Sequence, residues 1–419
     1  MHSVPVASSS LEGYLSIADG ELIEEIHSLG SRLRGARVAH INATHLGGGV
    51  AEILHSIIPL YNGLGIEACW LVLEGHEPFF DVTKKLHNAL QGAEVEFSQA
   101  EKDLYMEVNE QNAKTLAGGF DVIFVHDPQP AALRRLAANS SRHWVWRSHI
   151  DTSTPNFDAW HMISLLVNDY DAAVFSLPDF VGPGVAPPVT IIPPAIDPLV
   201  AKNLPLSRDE MESVVAAHGV DVRRPFISQV SRFDPWKDPI GVIEAFRLLK
   251  GDHRDLQLVL LGNFAADDPE GTVMYQQVLE KAKGIEDIRI ITGLTDMVNP
   301  FQALSKAVLQ KSVREGFGLT VTEALWKGTP VVAGNVGGIR LQIRDGEEGF
   351  LVDSVEDCAK KTDYLLKNED ERVRMGLNGH ERVRARFLMP RLLRDELELI
   401  HHLLTTGVKL PARSVDRSL

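Results

Sequence analysis

Short apolar runs alternate with amphipathic segments along most of the chain. The first run, Arg37–Asn42, leads into a glycine-containing turn and then into apolar residues spaced three and four apart, from Ile53 to Leu64. This pattern predicts a strand followed by a helix, and Gly65 is placed to end that helix. Further runs typical of buried parallel strands lie at 68–73, 121–126, 144–149, 172–177 and 189–192.

A cluster of prolines divides the pattern into two series. After Pro193, Pro194 and Pro198, further strands are predicted at 225–230, 256–261, 288–292, 308–310, 330–333 and 349–352. Repeated strand–helix units predict an α/β protein with two Rossmann-like, doubly wound domains that face a central cleft. We place these domains at residues 1–195 and 196–388. The remaining segment, 389–419, contains a predicted helix at 389–404 that we expect to cross back onto the first domain.

Composition and charge narrow the choice of function. The 419 residues are 44% hydrophobic and 24% charged, which is typical of a globular protein with two domains. No run approaches the roughly 18 apolar residues of a membrane span, and residues 1–12 lack the basic and apolar regions of a secretory signal. The only cysteines, Cys69 and Cys358, lie in apolar surroundings, so we expect two buried thiols in a cytoplasmic protein.

A net charge of −15 argues against nucleic acid or an anionic membrane as a partner. A phosphate ligand would be repelled by this overall charge, so local cations and backbone amides would have to bind it.

The strongest chemical signal lies between residues 308 and 324. A predicted strand ends in a turn with two glycines, after which a helix is predicted to begin. Such a turn directs backbone amides and a helix N-terminus toward a ligand, and a diphosphate suits that charge. Glu315 in the turn suits the hydroxyls of a donor sugar, and Glu323, one turn into the helix, suits those of a ribose; two surface glutamates beside a glycine-rich turn are the alternative. Five positions between Glu315 and Glu323 are also expected to bind the nucleotide sugar: Gly316, Phe317, Gly318, Leu319 and Thr320.

Two cations form the second signal. Arg232 and Lys237 follow the first predicted strand of the second domain, on either side of a turn. A guanidinium and an ammonium at that place would stabilise the negative charge that grows on a departing nucleotide diphosphate. Two other strand-end positions are candidates for main-chain contact with the base and ribose, or simple turns: Gly262 and Leu294.

Polar residues also follow strands of the first domain. Three glycines at 47–49 let the backbone approach a ligand closely, although their spacing is not that of a dinucleotide fingerprint. His126 and His149 lie at the ends of two other strands. Because the carboxyl ends of parallel strands meet at one edge of a sheet, we predict a site for a polyhydroxylated acceptor there, although a single strand-end histidine is more often structural. The expected acceptor contacts are Asn42, Asp127, Gln129 and Asp151.

Together these motifs resemble a known family. The Arg232…Lys237 segment and the Glu315-to-Glu323 block are similar to those of the retaining GT-B glycosyltransferases of family 4, the glycogen synthase-like and sucrose synthase-like enzymes. Within that family, five segments resemble the trehalose synthases that use an NDP-glucose and glucose; they are 47–56, 87–92, 126–133, 231–237 and 267–271. The likeness extends over the chain from about residue 35.

The resemblance implies a role for each candidate. Glu315 and Glu323 would bind the donor hexose and the ribose, Arg232 and Lys237 would bind the diphosphate, and His149 would contact the donor sugar near its 6-hydroxyl. The glycines expected beside the pyrophosphate are Gly48 and Gly49.

The resemblance also implies a reaction in which the anomeric configuration is retained. The acceptor would attack the front face of an oxocarbenium-like ion pair, and the leaving phosphate would accept its proton. We therefore expect no required cofactor and no metal ligands, with Mg²⁺ at most stimulating. The expected substrates are UDP-, ADP- or GDP-glucose with glucose, and trehalose in reverse; the expected assembly is a homodimer. Asp169-Tyr170-Asp171 precedes a predicted strand, so we interpret it as a helix-end turn rather than a metal site.

Some features depart from the family pattern and leave alternatives open. Lys311 stands just before the glycine turn, and the region 292–300 is short, which leaves the nucleotide preference open. A trehalose phosphorylase would use the same cations for free phosphate, and fructose or glycerate could replace glucose as acceptor. A non-catalytic sugar-nucleotide sensor is a different class, disfavoured because it could dispense with some of the two cations and two glutamates. An NAD-dependent oxidoreductase is disfavoured by the glycine spacing.

Overall fold

The computed structural model describes residues 1–262, 269–293 and 298–406. The chain forms two compact units, one from Met1–Ala195 together with the segment that begins at Met389, and one from Ile196–Leu388. We call these unit 1 and unit 2. The change from one to the other, between Ala195 and Ile196, directly follows the Pro193-Pro194 pair.

Within the described part of the chain, unit 1 contains a seven-stranded sheet in the order β1-β3-β2-β4-β5-β6-β7. All pairs are parallel except β1 with β3. The strands are β1 His2–Val4, β2 Arg37–Asn42, β3 Glu67–Val72, β4 Phe120–His126, β5 Ser141–Arg147, β6 Ala172–Phe175 and β7 Val189–Ile191. The helices before the boundary are α1 Gly20–Arg32, α2 Gly49–Gly63, α3 Glu77–Leu90, α4 Gln99–Thr115, α5 Leu133–Leu136 and α6 Phe157–Val167.

Unit 2 contains a six-stranded parallel sheet, again among the described residues, in the order β10-β9-β8-β11-β12-β13. The strands are β8 Phe226–Val230, β9 Gln257–Gly262, β10 Ile288–Thr292, β11 Val308–Gln310, β12 Val331–Gly334 and β13 Gly349–Val352. The helices are α7 Arg208–Ala217, α8 Pro239–Leu249, α9 Pro269–Ala282, α10 Val298–Leu304, α11 Leu319–Trp326, α12 Ile339–Gln342, α13 Val355–Lys367 and α14 Glu369–Arg386.

The last helix, α15 (Met389–Thr406), is part of unit 1, where it packs against α1 and α2. Its Glu396 is buried and forms an ion pair with Arg147 at the end of β5. Tyr61 of α2 donates a 2.7 Å hydrogen bond to the other oxygen of the same carboxylate. A buried carboxylate with two polar partners therefore joins α15 to the sheet and to α2.

The predicted strands match the observed ones to within a few residues, because each is an apolar run buried on both faces. The strands β2, β10 and β11 have the predicted bounds, and Gly65 follows the end of α2 with a φ of 82°. Strand β1, which pairs antiparallel with β3 through His2↔Val72, was not predicted. Three residues are too few to show a hydrophobic period, so only the pairing with a distant strand defines this element.

Cysteine burial and membrane spanning are the remaining fold-level expectations. Cys358 is buried, and burial raises the pKa of its thiol to about 12, whereas Cys69 is only half-buried, so the expectation of two buried thiols was wrong for Cys69. Within the described residues, no helix combines the length and apolar character needed to cross a bilayer.

Candidate functional site

In unit 2, the two loops that carry Lys237 and Glu315 are in direct contact. Lys237 Nζ donates a hydrogen bond to Glu315 Oε2 over 2.6 Å, and Ser312 Oγ donates to the same oxygen over 3.2 Å. Glu315 is buried, with 7% of its surface exposed. Because β8 and β11 are neighbours in the parallel sheet, the loops after them emerge side by side, which brings the acid and the base together.

A second ion pair supports the same two loops. Lys311, at the start of the glycine turn, pairs with Asp238, which follows Lys237. Asp238 has a left-handed backbone, with a φ of 46°, and its Oδ1 caps α8 by accepting from the amide of Gly241 over 2.9 Å. The amide of Val313 donates to the carbonyl of Trp236 over 2.9 Å. The residue that departs from the family pattern, Lys311, therefore helps to hold the loop that presents Lys237.

Arg232, the other predicted cation, lies at the end of β8 but pairs with a different carboxylate. Its Nη2 lies 3.3 Å from Asp234 Oδ2, and 40% of its side chain is exposed. Asp234 also accepts a 2.8 Å hydrogen bond from the amide of Trp236. The guanidinium is thus oriented from one side and open to solvent on part of its surface.

The glycine turn ends in the N-terminus of α11, as predicted. Gly318 is the N-cap, with a φ of 86° that favours glycine, and Leu319 and Thr320 begin the helix. The side chain of Gln342 donates to the carbonyl of Phe317 over 2.5 Å. Gly338 packs so closely that a Cβ there would lie 2.5 Å from Gly316 O and from Phe317 Cα. The turn is therefore rigidly supported, and the amide of Val321 donates to the Gly318 carbonyl over 2.9 Å where the helix begins.

Glu323 lies one turn into α11, where the sequence predicts it, but it is already paired. Lys202 Nζ lies 2.5 Å from Glu323 Oε1, and the carboxylate side chain is only 2% exposed. Lys327 donates to the Glu323 carbonyl over 3.2 Å and to Asn203 Oδ1 over 3.0 Å. Burial lowers the pKa of Lys327 to about 8, although the Glu323 carboxylate opposes that shift.

Of the two predicted main-chain contacts, only Gly262 lies among the described residues. A Cβ on Gly262 would lie 2.5 Å from the carbonyl oxygen of Ser231 and 2.9 Å from the ring of Phe233. The close approach that requires glycine is therefore made to the protein's own chain. Leu294 lies outside the described residues.

In unit 1, the glycine loop 47–49 is exposed and leads into α2. Gly47 and Gly48 have φ values of 70° and 81°, and a Cβ on either would meet no atom within 4 Å. These glycines are required by backbone conformation rather than by packing. The fifteen-residue helix α2 begins at Gly49, and its N-cap residue, Gly48, has no side chain that could accept from the first amides.

His149 follows β5 and stands at the end of a row of three histidines. His126 Nδ1 lies 3.0 Å from His149 Nε2, and His126 Nε2 lies 3.0 Å from His40 Nδ1. His40 and His126 are buried in adjacent strands β2 and β4, whereas His149 is half-buried. Burial is the main cause that lowers the pKa of each ring, to about 3 for His40.

Asp127 is the best placed of the predicted acceptor contacts. It follows β4 with a left-handed backbone, a φ of 66°, and its Oδ1 accepts from the amide of His149 over 2.7 Å. Burial raises the pKa of this carboxyl to about 7, while the hydrogen bond from His149 and the charge of Arg147 oppose the shift. The turn thus fixes a carboxyl of raised pKa beside the histidine row.

The other three predicted acceptor contacts have interactions within unit 1. Asn42 Oδ1 accepts from Trp70 Nε1 over 2.8 Å. Asp151 is buried and accepts from the hydroxyl of Ser153 over 2.6 Å. The carbonyl of Gln129 accepts from Asn109 Nδ2 over 3.1 Å. Their role toward an acceptor stays a prediction.

The Asp169-Tyr170-Asp171 segment is a turn after α6, as interpreted from the sequence. Asp169 pairs with Arg135 at 2.7 Å, and Asp171 accepts from the amide of Trp144 over 2.8 Å. Both carboxylates therefore serve the structure of unit 1.

Two members of these clusters, Lys202 and His40, had no role predicted from the sequence. Lys202 lies 121 residues before Glu323 in a segment without a motif, so no local signal could connect them. His40 could have been found, because it is a polar residue in the interior of strand β2, between Ala39 and Ile41. Polar side chains buried in a strand require partners, and that requirement points to a second polar residue on the neighbouring strand.

Two family patterns match the chain in succession. The family described as trehalose synthase, N-terminal domain, matches residues 40–182, and that described as glycosyl transferases group 1 matches residues 211–382. A trehalose synthase of Rubrobacter xylanophilus is 49% identical over 405 residues, which cover 94% of this chain and 97% of that protein. One of Pyrococcus horikoshii is 44% identical over 400 residues, covering 94% and 96%.

The chain belongs to the trehalose synthase family. It is a trehalose-related glycosyltransferase, so the predictions of the family and of an enzyme that transfers glycosyl groups are confirmed. A trehalose phosphorylase of Pleurotus pulmonarius is more distant, at 28% identity over 373 residues, which cover 76% of this chain and 50% of that protein.

Solved structures confirm the predicted fold. A trehalose-6-phosphate synthase, OtsA, matches with a TM-score of 0.71 at 14% identity, over 88% of this chain and 99% of that one. A sucrose-phosphate synthase from Thermosynechococcus elongatus matches with a TM-score of 0.68 at 16% identity, over the same shares. The chain therefore has the GT-B glycosyltransferase fold, with two parallel-sheet domains.

Proposed function

We propose that the protein transfers a glucosyl group from an NDP-glucose to glucose and forms α,α-trehalose with retention of configuration. The observation that carries the proposal is the contact between Lys237 and Glu315 beside the N-terminus of α11. That arrangement brings together an ammonium, a carboxylate that we propose binds the donor sugar, and the N-terminus of α11. The kinship with trehalose synthases supports trehalose as the product.

Unit 2 supplies what a nucleotide diphosphate leaving group needs. An ammonium has three N–H donors, and Glu315 uses one of those of Lys237, so the same group can also bind a phosphate oxygen. Arg232 adds a guanidinium that is fixed by Asp234 and partly exposed. Charge that grows on the leaving diphosphate is stabilised by such preorganised cations and amides. We propose on this basis that the reaction needs no metal cofactor.

The carboxylates and the histidine complete the proposed donor contacts. Glu315 would orient the hexose, Glu323 would bind the ribose, and His149 would bind the hexose near its 6-hydroxyl. The departing phosphate would take the proton of the acceptor hydroxyl, so no separate enzyme base is required.

The test is a product assay with protein treated with EDTA. Incubation with ¹³C-glucose and UDP-, ADP- or GDP-glucose should release the NDP and form ¹³C-labelled α,α-trehalose, identified by NMR. Protein with Lys237→Ala, prepared in parallel, controls for contaminating enzymes.

Three other outcomes would reject the proposal. If trehalose and phosphate yield glucose 1-phosphate while no NDP-glucose reacts, the protein is a phosphorylase. If fructose, glycerate or glucose 6-phosphate accepts the glucosyl group and glucose does not, then glucose is not the acceptor. If sugar nucleotides bind but no acceptor reacts, the protein is a sensor.

A further inference from the structure

The row of histidines in unit 1 forms one continuous hydrogen-bonded chain. The planes of neighbouring rings are inclined by 27° between His40 and His126 and by 18° between His126 and His149, with centroids 5.3 Å apart in each pair. His40 also stacks on Phe124, with centroids 4.8 Å apart and planes inclined by 4°. The packing leaves the rings little freedom to rotate, so each nitrogen has a defined neighbour.

The number of protons in the chain limits its possible states. Burial lowers the pKa of all three rings, and the positive charge of Arg147 reinforces that effect, so the rings are neutral near pH 7. Three neutral rings carry three N–H protons, of which two lie in the two contacts. The third must lie at one end of the chain, on His40 Nε2 or on His149 Nδ1.

The surroundings of His40 decide between the two ends. His40 Nε2 is buried and has no hydrogen-bond partner within the described chain. A buried N–H without an acceptor is costly, and here it would also be repelled by the Arg147 guanidinium, whose own Nη2 is equally buried and unpartnered in the described residues. A lone pair on His40 Nε2 is attracted by the same charge. The proton therefore belongs at the opposite end.

We propose that His40 and His126 are positioning residues that fix His149 as the tautomer with its proton on Nδ1. Each ring donates toward the next, from His40 to His126 and from His126 to His149. His149 then presents a neutral N–H donor and no acceptor at its remaining nitrogen. This inference rests on the proposed function only for the ligand, which is an oxygen of the donor sugar.

An N–H group on His149 should favour sugars that present a hydrogen-bond acceptor to it. A hydroxyl oxygen can accept from His149, and so can a carboxylate, whereas an ammonium group has only donors and cannot. A nucleotide sugar that carries a 6-amino group in place of the 6-hydroxyl should therefore be a poor substrate.

The tautomer can be measured without any substrate. Two-bond ¹H–¹⁵N correlation spectra of ligand-free protein labelled with ¹⁵N-histidine distinguish the two tautomers, and the signals of His149 are assigned by their loss in a His149→Gln variant. We expect His149 to carry its proton on Nδ1. A proton on Nε2, or a mixture of both forms, overturns the inference.

Two variants of His126 test whether its hydrogen bond determines the tautomer of His149. In His126→Asn, the side-chain amide can still donate to His149, so the Nδ1 proton should persist and kcat/KM for the NDP-glucose should stay within about threefold of the unmodified protein. In His126→Phe, the ring shape remains but the hydrogen bond is lost, so His149 should become a mixture of tautomers and kcat/KM should fall about three- to tenfold, the size of one hydrogen bond. His27→Asn, on the exposed face of α1, controls for loss of a histidine elsewhere in unit 1.

The outcomes separate this inference from the proposed function. If His126→Phe does not fold, the spectra of the unmodified protein and of His126→Asn still decide the tautomer. If His149 carries its proton on Nδ1 but no disaccharide forms, the proposed function fails alone. If trehalose forms while His149 is protonated on Nε2, or if His126→Phe leaves the tautomer unchanged, the inference fails alone.

Discussion

Lys202 Nζ lies 2.5 Å from Glu323 Oε1, so the carboxylate expected to bind a ribose is paired within unit 2 itself. The two side chains differ in exposure to solvent: 16% of the Lys202 side chain is exposed, but only 2% of that of Glu323. Lys327 stands close enough to Glu323 for their charges to interact. Lys202 therefore orients the Glu323 carboxylate, and the Lys327 ammonium adds a second positive charge nearby.

Removing Lys202 should destabilise unit 2. Lys202→Met leaves a buried carboxylate without its ion-pair partner, which costs about 3 kcal/mol, at the low end for a broken buried pair because Lys327 stays nearby. The double variant Lys202→Met/Glu323→Gln should recover part of this loss. Urea unfolding curves measure both, and equal midpoints for Lys202→Met and the unmodified protein would show that the pair contributes nothing.

Removing Lys237 should lower turnover strongly. Lys237→Ala loses a group that stabilises charge in the transition state, so we expect kcat, measured well below the melting temperature, to fall about 100-fold. The melting temperature should fall as well, because the buried Glu315 loses its ion-pair partner. Arg232→Ala should lower kcat to a similar extent. Lys283→Ala is the matched control, since that lysine side chain is 76% exposed. Near-normal turnover in both Lys237→Ala and Arg232→Ala would remove these cations from the mechanism.

A single methyl group at Gly338 should disturb the glycine turn. Its Cβ would lie 2.5 Å from backbone atoms of Gly316 and Phe317, so the turn must move. We expect Gly338→Ala to lower kcat/KM for the NDP-glucose tenfold or more, on the order expected when binding groups are misplaced. Gly251→Ala, where the nearest atom would be 3.9 Å away, should match the unmodified protein. Equal kinetics for both variants would mean that the turn does not bind the donor.

The raised pKa of Asp127 predicts that this residue lowers the stability of the folded protein to an extent that depends on pH. The pKa of an unfolded aspartate is about 3.9, and that of folded Asp127 is about 7. The folded state therefore binds more protons between about pH 4 and pH 7, and this group lowers stability as pH rises through that window. Asp127→Asn keeps the acceptor for His149 but removes the charge, so its melting temperature should increasingly exceed that of the unmodified protein up to about pH 7.

The difference in melting temperature between Asp127→Asn and the unmodified protein reports the effect of Asp127 separately from that of the neighbouring histidines. His40, His126 and His149 act in the opposite sense, since their lowered pKa values mean that stability is lost as pH falls below about 6.5. All three histidines and Arg147 are present in both proteins, so their contribution cancels. A difference that does not change with pH would contradict the assignment.

The buried Arg147–Glu396 pair should be essential for docking α15. Both side chains are 1% exposed, so Arg147→Met leaves an uncompensated carboxylate that costs about 3–5 kcal/mol. The double variant Arg147→Met/Glu396→Leu should be clearly more stable than Arg147→Met. Hydrogen exchange of the α15 amides measures the effect locally, and unchanged protection in Arg147→Met would refute it.

Hydrophobic period and turn chemistry by themselves determined most of the elements of this protein. The bounds of β2, the glycine that follows α2 and the start of α11 at Leu319 were all predictable, because each depends on residues close in the chain. The membership in a glycosyltransferase family was equally readable, since its motifs are contiguous.

Only the tertiary structure decided which of these residues act together. Lys202 and Glu323 are 121 positions apart, and Arg147 and Glu396 are 249 apart, so neither pair has a local pattern. The same holds for the direction of the histidine chain, which depends on what surrounds His40 Nε2. Burial forces polar groups to find partners across the fold, and those partners are set by strand order and packing rather than by spacing in the sequence.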